Sequence, residues 1–147
     1  MTELASSKRA KRPEFRNINA FGDLPGYRWP LAAIVSGMHR ASGLLMFLLM
    51  PFIVWMFDTS LSSEISFARF TSVFQNGVGF LPGVLVKLVA LGLIWAYLHH
   101  FFAGMRHIRM DIAHTVSKEA GKRTAQITLV LSLGLTAILG AKLFGLY

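Results

Sequence analysis

His100 and His107 stand seven positions apart in an apolar stretch, with Gly104 between them. On an α-helix that spacing returns two side chains to one face. Histidine in hydrocarbon is costly unless it meets a partner, a cavity or a metal, so an imidazole face of this kind is a candidate site. Two turns raise His107 about 10 Å along the axis from His100, so one metal ion cannot readily take both. An iron held by either takes its second axial ligand from elsewhere. His99 points about 100° away from His100, which leaves His100 as the histidine that shares a face with Gly104 and His107. Gly104 removes a side chain where a flat macrocycle could lie against the backbone.

A second cluster precedes it. Ser36, His39, Arg40 and Gly43 follow an i, i+3, i+4, i+7 pattern and are expected on one side of a helix. Arginine within a membrane span is usually paired or functional, since at mid-bilayer it costs about 2.5 to 3.5 kcal/mol. A hydroxyl and a guanidinium one turn apart suit a ligand with carbonyl oxygens, such as a quinone head group. If a b-type haem is present, its propionates need cationic or imidazole partners, for which His39, Arg40 and His107 are candidates.

The elements that must position these residues follow from composition. Of 147 residues, 54% are hydrophobic and 15% charged, which indicates an all-α membrane protein. Apolar stretches predict three transmembrane helices at about 30–57, 80–105 and 124–147, each close to the ~20 residues that cross a bilayer core. Residues 1–29 form a basic N-terminal arm and 30–147 the membrane domain. The chain has no cysteine, which excludes disulfides, thiolate catalysis, cysteine-ligated clusters and covalent c-type haem.

The net charge of +8 is unevenly placed. Lys8, Arg9, Lys11, Arg12, Arg16 and Arg28 precede the first span; Arg106, Arg109, Lys118, Lys122 and Arg123 lie between the second and third; the intervening loop has Arg69 alone. The positive-inside rule then predicts a cytoplasmic N-terminus and an antiparallel up-down-up bundle, with no call for nucleic acid. Both candidate clusters fall in the inner half of the membrane. Lys87 and Lys142 lie towards the outer helix ends, where snorkelling serves them.

Pro30 after Trp29 suits a helix start, and Pro51 should bend the first span. Phe67, Phe70 and Phe74 predict a short interfacial helix in the first loop, and Ser117 a cap near the last helix. Small residues at four-residue spacing, Ala33, Gly37, Ala41 and Ser132, Thr136, Gly140, predict close helix packing, within the chain in preference to against another subunit. Three helices make a thin bundle, and a cofactor between them needs a second protein to close around it.

Residues Ser36 to Gly43 resemble an S-x-x-H-R-x-[ST]-G signature, and His100 to Asp111 an H-x-x-x-G-x-R-H-x-x-x-D signature. Both resemble the larger cytochrome b membrane-anchor subunit of succinate dehydrogenase, respiratory complex II, as does the early Arg12-Pro13 pair. The resemblance implies that Ser36 and Arg40 bind ubiquinone, that His100 is a haem b axial ligand, and that His39 and His107 lie near the haem. A one-residue shift would exchange His100 for His99. It further implies a second small anchor subunit sharing the haem, iron–sulfur and flavoprotein subunits, membrane lipid around the spans, and a bacterial cytoplasmic membrane in preference to the mitochondrial one. The chain would not oxidise succinate itself but would pass electrons from the iron–sulfur subunit to ubiquinone, linking the tricarboxylic acid cycle to the respiratory chain. The rival readings are a fumarate reductase anchor and a non-redox helical assembly subunit. The segment from Ala20 to Trp29 is longer than that family's pattern.

Overall fold

The structure is a computed structural model that describes residues 17–114 and 117–147. Lys8, Arg9, Lys11, Arg12, Pro13 and Arg16 lie outside the described residues. Among those described, all regular elements are α-helices: α1 Leu31–Leu48, α2 Met50–Leu61, α3 Glu64–Asn76, α4 Gly83–Ala113 and α5 Lys118–Leu143. Helices α1, α4 and α5 are long and apolar enough to cross a membrane.

The first predicted span is two helices. Pro51 has no amide hydrogen for the Phe47 carbonyl, and its ring crowds that turn. The chain accordingly leaves helical geometry at Leu49 (φ −90°, ψ 2°) and resumes with Pro51 in the first turn of α2. After this break α2 continues to Leu61, beyond the expected end at 57. The aromatic helix of the first loop is present as α3, closed at its start by a capping box of Ser63 and Ser66. A tight turn follows, in which Val78 and Leu81 exchange backbone hydrogen bonds. Gly77 enters it at φ 86°, where any Cβ would fall on the Leu81 carbonyl.

The second and third spans also differ from 80–105 and 124–147. Helix α4 runs through Arg106 and Arg109 to Ala113, and α5 begins at Lys118. Hydropathy marks where a helix leaves the hydrocarbon, whereas backbone hydrogen bonding lets it continue through charged turns. At 31 residues, α4 extends about 46 Å, which exceeds a ~30 Å bilayer core. Ser117 caps α5 by accepting from the Ala120 amide at 3.2 Å.

The spans meet at small side chains. Val35, Ala96, Ala103 and Ala125 are fully buried. Ser132, Thr136 and Gly140 are buried as well, so the α5 stripe packs within the chain. A Cβ on Gly140 would stand 2.7 Å from Leu91 Cδ1. Thr128, Ser132 and Thr136 bond to carbonyls of their own helix, at 3.0, 3.3 and 2.6 Å, and so bring no unmet polar group into the contact. The α1 stripe differs: Gly37 and Ala41 are exposed, and a Cβ on Gly37 would meet nothing within 4 Å. Among the described residues that flank is left open. Lys87 lies with its Nζ 5.6 Å from the Phe144 ring centroid, a cation–π contact between α4 and the end of α5.

Candidate functional site

Helices α1 and α4 meet along a column of imidazoles. His39 stacks on His100, with ring centroids 4.2 Å apart and planes 20° from parallel. It also lies 5.2 Å from His107, tilted by 45°. The α1 histidine therefore fills the two-turn gap between the α4 pair. Among the described residues, no group of three or more His, Asp or Glu side chains converges as a metal centre would. Stacked rings present faces to one another, not lone pairs to a common point.

The His100 ring is pinned through Nδ1, which lies 3.0 Å from the His39 carbonyl oxygen and 3.3 Å from Ser42 Oγ. A carbonyl oxygen only accepts, so Nδ1 carries the proton and Nε2 keeps its lone pair. Ser42, almost fully buried, donates its own hydroxyl to the same carbonyl at 2.9 Å. A backbone carbonyl held against one ring nitrogen is the usual way in which the other is aimed at a metal. Gly43 makes the approach possible, since a Cβ there would stand 2.7 Å from His100 Cε1 and 3.1 Å from Nδ1. At Gly104 a Cβ would meet His39 Nε2 at 3.7 Å, an ordinary contact. The glycine that the column requires is thus Gly43, while Gly104 relieves no clash.

His99 occupies a different environment. It is fully buried, its Nε2 lies 3.4 Å from the Val35 carbonyl oxygen, and its ring stacks on Trp95 at 5.3 Å. By the same reasoning Nε2 carries the proton, and Nδ1 is buried without a hydrogen-bond partner among the described residues, as is Trp95 Nε1. With no exposed edge, this ring cannot meet a planar group unless α1 moves away.

The structure divides the Ser36 cluster. His39 and Gly43 face α4, Ser36 is half-buried, and Arg40 is exposed on the adjoining flank. Gly43 belonged to the spaced set, whereas Ser42 was the contact with His100 that spacing alone did not single out; its signal lay in the signature itself, which carries a hydroxyl residue before the glycine. Arg106, expected in a loop, is instead only 7% exposed in α4 and donates from Nε to Thr124 Oγ1 at 3.0 Å. Thr124 in turn donates to the Ala120 carbonyl at 2.9 Å. This chain of hydrogen bonds ties α4 to α5 beside the imidazole column.

Comparison with known proteins gives a consistent result. The family model described as succinate dehydrogenase/fumarate reductase transmembrane subunit matches residues 14–139. The chain is 33% identical over 124 residues to the succinate dehydrogenase cytochrome b556 subunit of Coxiella burnetii (strain RSA 493 / Nine Mile phase I), covering 84% of this chain and 89% of that one. It is 29% identical over 112 residues to the subunit of the same name from Paracoccus denitrificans, covering 76% and 81%. Carrying both signatures on its packed α1 and α4, the chain belongs to the succinate dehydrogenase/fumarate reductase transmembrane-subunit family, among the cytochrome b anchors of succinate dehydrogenase.

Proposed function

We propose that this chain is the larger membrane anchor of a succinate:ubiquinone oxidoreductase, that His100 Nε2 is an axial ligand of a b-type haem, and that Ser36 and Arg40 hold the ubiquinone head group. The observation that carries the reading is the hydrogen bond from His100 Nδ1 to the His39 carbonyl, which leaves Nε2 free to ligate and fixes its direction. Haem b, when bound, supplies a one-electron store between the iron–sulfur subunit and quinone. His39, His107 and Arg40 would hold its propionates.

A second imidazole for that haem would come from another subunit. His39 cannot supply it, because parallel rings 4.2 Å apart leave no room for a macrocycle between them. The small, outward flank of Gly37 and Ala41 supports close approach by a second anchor helix. In this reading the three spans run up-down-up from a cytoplasmic N-terminus in a bacterial inner membrane, as the uneven basic residues favour. Ser36 and Arg40 donate to quinone carbonyl oxygens, where negative charge develops as electrons arrive, and protons come from the cytoplasmic side. The chain itself supplies no succinate-oxidising chemistry. The family description covers fumarate reductase too, but both relatives carry succinate dehydrogenase names, which favours quinone reduction.

The test is the absorption spectrum of the purified complex. His100→Ala should abolish the b-type Soret band, while His99→Ala should retain it. Loss of the band in His99→Ala with retention in His100→Ala would assign the ligand to His99 and overturn the reading.

A further inference from the structure

A groove lies towards the N-terminal end of α4, away from the imidazole column. Its volume is about 660 Å³, and it is walled by α2, α3 and α4, with Trp55, Phe70, Phe74, Leu85 and Val89 among its apolar lining. From Leu85 to His100 the helix rises about 22 Å, and no member of the imidazole column lines the groove. Its one charged lining residue is Arg69, with the hydroxyls of Thr59 and Ser66 also at the wall. Arg69 is the only basic side chain between Arg40 and Lys87.

We infer that this groove is a binding site for one membrane phospholipid, with an acyl chain along the apolar wall and the phosphodiester on the Arg69 guanidinium. The groove is open along one side and lined almost wholly by apolar side chains, a surface that an acyl chain can follow. Charge argues for a phosphate. Arg69 is exposed at the rim of the groove, and its planar fork can take phosphate oxygens in pairs. The three walls also give the site a reason to be specific: Pro51 breaks the first span, the Gly77 turn folds α3 back, and α4 closes the third side. The site is independent of haem and quinone.

Native mass spectrometry of the whole complex, purified in mild detergent, tests the inference. The unaltered complex should retain a phospholipid that Ala90→Phe, which fills the groove, removes. Arg69→Gln should lower its affinity about tenfold or more, as expected for a charge-assisted hydrogen bond, and so reduce its occupancy. Unchanged lipid in Ala90→Phe would overturn the site, and unchanged occupancy in Arg69→Gln would overturn its head-group half. A photoreactive diazirine residue at Val89, cross-linked in native membranes, gives a readout that does not depend on either variant. An adduct with phospholipid supports the inference; an adduct with another polypeptide or with ubiquinone overturns it.

Discussion

Gly43→Ala is the sharpest perturbation of the proposed haem ligand, because it changes no atom of His100 itself. The added Cβ would stand 2.7 Å from Cε1, and the shortest tolerable contact is near 3.4 Å, so the ring must withdraw by about 0.7 Å. Nδ1 begins 3.0 Å from the His39 carbonyl. Withdrawal along that bond would stretch it to about 3.7 Å, past the limit for a hydrogen bond. Overpacking of this kind costs about 1 to 3 kcal/mol, and loss of an orienting partner lowers metal affinity about 10- to 100-fold. Haem titration into the haem-depleted complex, followed at the Soret band, should show that weakening, with a thermal melt reporting the packing term. Gly134→Ala is the control, since a Cβ there meets nothing within 4 Å. Wild-type haem affinity in Gly43→Ala would refute the claim that this carbonyl contact aims the ligand.

Other expectations follow from the same geometry. Arg40→Ala should abolish ubiquinone reduction while leaving succinate oxidation by artificial dyes intact; unchanged quinone activity would remove Arg40 from the quinone role. Thr124→Val should lower stability by about 1.5 to 3 kcal/mol, because it strips a nearly buried guanidinium of its Nε partner; a melting temperature equal to wild type would show that the contact contributes nothing. Gly140→Ala displaces only the mobile end of Leu91 and should be nearly neutral, at about 0.5 to 1.5 kcal/mol for a strained rotamer. Gly140→Ile should instead separate α4 from α5 and reduce assembled complex in membranes, as measured by blotting.

Three apolar stretches and two polar clusters were legible in the sequence because bilayer thickness and helical periodicity act on residue type alone. The same rules mislead at helix ends. Charged residues 106–113 and 118–123 look like a loop to a hydropathy reading, yet both stretches are helical, since Ser117 caps α5 and nothing in α4 breaks the ladder before His114 turns left-handed at φ 49°. Pro51 announced a break, but its position at Leu49 depends on how the chain resolves the lost hydrogen bond.

What the sequence determined by itself is which side chains lie within membrane helices and which of them share a face: His100 with His107, and Ser36 with Arg40. Only the tertiary structure decided what each face meets. It buried His99 against Val35 and Trp95, set His39 between the α4 histidines, and turned Arg40 outward. Periodicity fixes angles about one axis, whereas the contact of His100 with the His39 carbonyl depends on the distance between two axes. Gly43 sets that distance, because only a residue without a Cβ lets the imidazole reach the backbone of α1.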